Sequence, residues 1–123
     1  MNTAAKVVVG FVALEHLGFM ILESFLWTSE VGRKAFGTTP AFAEASKVLA
    51  ANQGVYNGFL AAALVVGLLH KDANVSRVIT TFALVCIVVA GIVGGISASP
   101  SIVIVQSLPA FVALVLVRTH AKR

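Results

Sequence analysis

The sequence predicts an all-α membrane protein, a four-transmembrane-helix antiparallel bundle with both termini cytoplasmic. Three observations predict it. Hydrophobic residues make up 59% of the chain and charged residues only 11%, against about 25% charged and 45–50% apolar in soluble domains. The apolar residues fall into four runs, and a hydrocarbon core of about 30 Å takes about 20 residues of helix; the 123-residue chain holds four such runs with short connections, as a single membrane domain over 1–123. The Val- and Ile-rich runs lack the period-two alternation of barrel strands, so they read as helices.

Span one, about 7–27, is apolar on nearly every face apart from Glu15, His16 and Glu23. At about 20 residues it exceeds the 7–15 residue core of a secretory signal and lacks a small-x-small cleavage site, so it is expected to stay in the protein. Residues 28–45 carry Gly32, Gly37, Pro40 and mixed charges and read as the one sizeable external loop. Such lengths are often functional. Thr39-Pro40 has the pattern of an N-cap followed by proline at the first helical position, so a helix is expected to start near Pro40 and cover the outer mouth.

Span two, about 47–69, carries Asn52, Gln53, Tyr56 and Asn57 before turning wholly apolar. The connection His70-Lys71-Asp72-Ala73-Asn74 offers Asp72 or Asn74 as a cap, and its shortness makes its neighbours antiparallel. Span three, about 78–96, ends in Ala90-Gly91-Ile92-Val93-Gly94-Gly95, glycines dense enough to admit another helix closely. Ser99 and Pro100 offer a cap and first helical residue for span four, about 102–117, in which Pro109 removes a backbone hydrogen bond and is expected to bend the helix. No internal repeat stands out.

The formal charge of +4 does not indicate nucleic acid, because the basic residues lie at chain ends and in short connections. Lys6, Lys71, Arg77, Arg118, Lys122 and Arg123 fall on the side of the termini and Arg33, Lys34 and Lys47 on the other. The positive-inside bias therefore places both termini in the cytoplasm, with 118–123 as a basic anchor in which His120, like His70, is solvated. Cys86 is the single cysteine, which excludes an intrachain disulfide or a cysteine-based metal site and leaves it as a small apolar filler.

An ionisable group inside a membrane helix costs roughly 2.5–3.5 kcal/mol on insertion scales, and such a group reads first as a functional candidate. At 1.5 Å of rise per residue, Glu23, Asn52, Gln53 and Gln106 each lie roughly 6–9 Å inside the outer edge of their spans. Gly91, Gly94 and Gly95 occupy the same layer of span three. Glu15 and His16 lie about 16–18 Å in, with Tyr56 and Asn57 at about 14–15 Å, forming a second layer near the midplane. Val12, His16, Met20, Glu23 and Trp27 share one face of span one, with Glu15 on its flank, while Asn52-Tyr56 and Gln53-Asn57 are i,i+4 pairs on one broad polar face of span two.

Two chemistries fit this set. Desolvation disfavours a charged carboxyl and a neighbouring histidine favours it, so Glu15 and His16 are the candidate proton-exchanging pair. Glu23, Trp27, Asn52, Gln53, Tyr56, Asn57 and Gln106 are the candidate pocket residues. The alternative for the amides is interhelical hydrogen bonding that only holds the bundle together, and Trp27 also suits an interfacial belt. Gly54-x-x-x-Gly58 and Gly91-x-x-x-Gly95 read as packing motifs. His16, Glu15 and Glu23 are metal-ligand types, but there is no Glu-x-x-His and His16 and Glu23 are about 10 Å apart in rise, so no metal is assigned.

Ala13-Leu14-Glu15-His16, Glu23-Ser24-Phe25-Leu26-Trp27, the run Asn52-Gln53-Gly54-Val55-Tyr56-Asn57-Gly58-Phe59-Leu60-Ala61, Ala90-Gly91-Ile92-Val93-Gly94 and Gln106-Ser107-Leu108-Pro109-Ala110 together resemble an uncharacterised bacterial membrane family, domain of unknown function 1304. The resemblance covers essentially the whole chain and implies a four-span protein of the bacterial inner membrane, without an assigned activity. A fold-level analogy extends to the small multidrug-resistance transporters, also four-span chains with a glutamate in the first span, which work as dimers. Glu15 would take that glutamate's place and a homodimer would follow; the second carboxylate, the histidine and the span-two amides set this chain apart.

The leading expectation is a transporter or small-molecule binder, with membrane lipid and an unidentified small molecule as partners. The alternatives are a membrane-embedded acid/base enzyme of isomerase or hydrolase type acting on a lipophilic substrate, and a structural or accessory subunit. No nucleophile motif or cofactor loop is present, so no catalytic residue is assigned and no cofactor is expected.

Overall fold

The computed structural model describes residues 1–119, and every regular element among them is helical. These elements are α1 (Thr3–Ser24), α2 (Glu30–Phe36), α3 (Pro40–Leu69), α4 (Ala73–Ser97), a π-helical turn (Val103–Ser107) and α5 (Leu108–Thr119). α1, α3 and α4 are long and apolar enough to cross a membrane, whereas the fourth apolar stretch, Val103–Thr119, is shorter. His120, Lys122 and Arg123, assigned above to solvent and to the basic anchor, lie outside the described residues.

Residues 28–45 are largely helical. Ser29 explains why α2 starts where it does: its hydroxyl accepts from the Gly32 N–H at 3.1 Å and donates to the Leu26 carbonyl at 2.6 Å, satisfying an N–H that the first turn would otherwise leave bare. Glu30 in that turn suits the positive end of the helix. α2 ends at Gly37, whose φ of 64° a side chain would resist, and whose N–H closes on the Arg33 carbonyl. α3 then begins at Pro40, with the Thr39 hydroxyl accepting from the Phe42 N–H at 3.2 Å.

The chain divides into two units, residues 14–61 and residues 1–13 with the chain from Ala62 onward. In the second of these, α4 buries Ser76, Thr80, Ala83, Leu84, Ile87, Gly91 and Gly95, one stripe at helical spacing. Small residues on that stripe let neighbouring backbones approach. A methyl group at Gly67 of α3 would sit 3.3 Å from the Thr80 nitrogen, and one at Gly91 would sit 3.0 Å from the Ser107 nitrogen. Serines hold both crossings: Ser76 donates to the Gly67 carbonyl at 2.6 Å and Ser107 to the Val88 carbonyl at 3.0 Å. Hydroxyls reaching a facing carbonyl are a recurrent way of joining helices in lipid, where no water competes.

Pro109 marks the change of helix type in the last apolar stretch. It has no N–H for the carbonyl four residues back, and just ahead of it the backbone opens into the π turn, in which the Leu108 N–H bonds to the Val103 carbonyl. Gln106 lies in this turn, half-buried. α5 continues beyond it and buries Ala110, Ala113 and Val117.

Of the two cap candidates for α4, Asp72 takes the position, accepting from the Asn74 N–H at 2.8 Å and the Val75 N–H at 3.0 Å. Those two backbone donors hold its carboxyl below its usual range. A carboxyl depressed in the folded state contributes stability that is present above its unfolded value and lost as pH falls through the folded one. Acidification below about pH 4 is therefore expected to fray the first turn of α4 and speed amide exchange at Asn74 and Val75, and Asp72→Asn is expected to flatten that pH dependence.

Candidate functional site

The site lies in the unit spanning residues 14–61. Within this unit α3 buries a stripe of Ala43, Ala50, Gly54, Asn57 and Ala61. Four of these five are apolar or small and one is an amide, so the stripe carries a single strong hydrogen-bonding side chain into the unit's packed interior. Asn57 is 7% exposed, and its Nδ2 donates to Glu23 Oε2 of α1 at 2.6 Å. The backbones are close enough for this because Gly54 faces the end of α1: a methyl there would lie 3.0 Å from the Ser24 nitrogen and 3.1 Å from Glu23 Cβ. The Ser24 hydroxyl completes the crossing with a 3.4 Å bond to the Ala51 carbonyl.

Beside this pair an open groove of about 370 Å³ is lined by Glu23, Ser24, Phe25, Trp27, Thr28, Lys47, Val48 and Ala51. Trp27 lies in the turn after α1. Its indole N–H donates to the Ser46 hydroxyl at 3.0 Å, and its ring packs on Phe36 of α2 at 4.9 Å between centroids. Ser46 in turn donates to the Phe42 carbonyl at 2.6 Å, so a short relay fixes the indole at the groove. Lys47 pairs with Glu44 one helical turn earlier. The groove thus offers one carboxylate, two hydroxyls, an ammonium and aromatic surface, a set able to orient a small amphipathic molecule.

The remaining candidates are distributed unevenly. Glu15 and His16 lie further along α1; His16 is fully buried, its ring edge-on to Phe19 at 5.5 Å, and Glu15 is half-buried with one carboxyl oxygen enclosed. Asn52, Gln53 and Tyr56 are exposed, and Tyr56 stacks edge-on with Phe59 of its own helix at 5.9 Å. At 100° per residue, Gln53 falls about 60° from Ala50 on the rim of the inward stripe, Tyr56 about 120° round, and Asn52 nearly opposite. The structure therefore joins Glu23 to Asn57 and brings Glu23 and Trp27 to one groove, while Asn52, Gln53 and Tyr56 point elsewhere. Gln106 belongs to the other unit. Among the described residues no three His, Cys, Asp or Glu side chains gather closely enough to hold a metal ion.

Ser24, Thr28, Ser46 and Lys47 are not among the candidate site residues that the sequence marks. Their signal is weak: Ser24 and Thr28 lie within a turn of Trp27 in sequence, Ser46 and Lys47 lie in the first two turns of α3, and a serine beside Glu23 is a donor at the same depth.

Among known proteins, the uncharacterized protein YpaA of Lactococcus lactis is 29% identical to this chain over 106 residues, a match covering 85% of this chain and 87% of the relative. No solved structure matches. A family model described as "Protein of unknown function (DUF1304)" matches residues 10–118, a range that contains every candidate residue from Glu15 to Gln106. With nearly its whole length matched, its inward Glu23–Asn57 pair included, the chain belongs to the DUF1304 family.

Proposed function

We propose that the protein is a four-span, multi-pass protein of the bacterial inner membrane, with both termini in the cytoplasm, that binds and moves a small solute. The observation that carries this reading is the Glu23–Asn57 hydrogen bond beside an open groove, on helices apolar enough to cross a membrane. A carboxylate at such a place is costly unless it is used. In this reading the solute enters against Trp27 and Glu23, and Glu15 and His16, seven to eight residues back along α1 and so roughly 10–12 Å deeper, exchange a proton with it. Membrane lipid surrounds the helices. The exposed amides Asn52 and Gln53, with Tyr56, are poor lipid-facing groups, which supports a second copy of the chain as the partner of that face of α3.

The test is flux in proteoliposomes loaded with a pH-sensitive dye and offered a panel of small amines, carboxylates and sugars. A transported solute is expected to drive proton movement in the native protein and to lose that coupling in Glu15→Gln. Unchanged coupling in that variant would remove Glu15 from the mechanism, and the lack of any solute response would remove transport.

A second reading is favoured by the close approach of Ser24 and Gly54, in which the Glu23–Asn57 bond only locks α1 to α3. It predicts that the pair can be replaced without functional loss.

A further inference from the structure

A second open cavity, of about 320 Å³, lies along α2 toward its C-terminal end, lined by Glu30, Arg33, Lys34, Gly37 and Thr38. Two of its polar atoms, Arg33 Nε and Thr38 Oγ1, are buried and have no hydrogen-bond partner among the described residues. A buried donor without an acceptor costs about 1–3 kcal/mol, more for a charged group, so an oxygen-bearing ligand that accepts from these atoms would be stabilised here. The lining carries a net positive charge. Lys34 and Glu30 pair at 2.6 Å, with both side chains largely in the open, while Arg33 has no carboxylate partner among the described residues. The end of a helix is ordinarily poor ground for an anion, but here the Arg33 carbonyl is already taken by the N–H groups of Gly37 and Thr38.

The cavity also sits at a characteristic level. Phe36 at the end of α2 packs on Trp27, the residue that closes the first apolar run, and tryptophans gather at the membrane–water interface. Val31, 62% exposed, presents an apolar side of the same short helix. In the membrane arrangement proposed above, lipid phosphates lie at that level. A phosphate group offers several oxygens that match a guanidinium fork and a hydroxyl together.

The geometry points to this cavity as a phosphate-binding site, in which Arg33 grips the oxygens, Thr38 donates its hydroxyl and Lys34 supplies charge from the rim. The site is separate from the Glu23 groove and stands whether or not that groove moves a solute.

Native mass spectrometry of the full chain in detergent tests it with three probes: dioleoylphosphatidylglycerol, dioleoylglycerol, which keeps the acyl chains without the phosphate, and inorganic phosphate. Retained phosphatidylglycerol, bound at least about tenfold more tightly than dioleoylglycerol and weakened about tenfold by Arg33→Gln, is the expected result. Thr38→Val, which keeps the side-chain shape, should weaken it by a smaller factor with an unchanged melting temperature. Competition by millimolar inorganic phosphate would identify the free anion as a ligand of the same site; retention unaffected by it would identify the lipid-borne group. Equal retention of the two lipids, no effect of Arg33→Gln in a protein that melts normally, or no binding of either phosphatidylglycerol or inorganic phosphate would each overturn the assignment.

Discussion

Replacing Gly32 by alanine is expected to release α2 from the turn that follows α1. Gly32 is buried, and a methyl group there would sit 2.7 Å from the Leu26 carbonyl carbon and 3.1 Å from Trp27 Cα. Both neighbours are backbone, so no side chain can rotate away; either α2 shifts or the turn opens. Overpacking of this kind typically costs about 1–3 kcal/mol, and the upper end is expected where the clash is with main chain. Trp27 would report it directly, being the single tryptophan of the chain and packed on Phe36. A lowered melting temperature with a red-shifted Trp27 emission is the expected result. Gly18→Ala is the control: nothing lies within 4 Å of a methyl at that position, and alanine is favoured over glycine in a helix by roughly 1 kcal/mol. If Gly32→Ala melts like the native protein, the docking of α2 on the Leu26–Trp27 turn is wrong.

The second large effect is expected at the Glu23–Asn57 pair, and it separates the two readings of the site. Asn57→Leu removes the amide at 2.6 Å from Glu23 Oε2, leaving a half-buried carboxyl without its donor, at a cost of about 1–3 kcal/mol. Replacing both partners by leucine removes the stranded group as well and is expected to recover most of that loss, since two apolar groups of similar shape replace a satisfied polar pair nearly neutrally. A double-mutant cycle on unfolding in detergent should give a coupling of about 0.5–3 kcal/mol. The decisive measurement is solute response in the double variant. A stable, inactive double variant supports the binding role, whereas a stable variant with native activity reduces the pair to a fastener between helices.

Much of the fold is local or averaged chemistry and was readable from the residues alone. Long apolar runs become helices because a bare backbone cannot be left in lipid, and α1, α3 and α4 follow from that requirement. The starts of α3 at Thr39-Pro40 and of α4 at Asp72 were readable because a cap is a contact between residues two or three apart. The family resemblance rested on ordered motifs spread along the chain, and the match over residues 10–118 bears it out.

Other features depend on neighbours distant in sequence. α2 has seven residues, too few to hold together as a helix in isolation; it exists because Gly32 lets it dock and Ser29 ties it to Leu26. The orientation of α3 was the harder matter. Counting polar residues against one another groups Asn52, Gln53, Tyr56 and Asn57 on one face, but the face that turns inward is chosen by Ala43, Ala50, Gly54 and Ala61, the residues small enough to meet another backbone. In a membrane the apolar side chains gain nothing from leaving lipid for the protein interior, so close packing of small residues outranks polarity in setting a helix's rotation. Residue type therefore reveals which segments are helices and which side chains are costly to bury, while the pairing of Glu23 with Asn57 rests on backbone approach between two helices, which arises once the chain has packed.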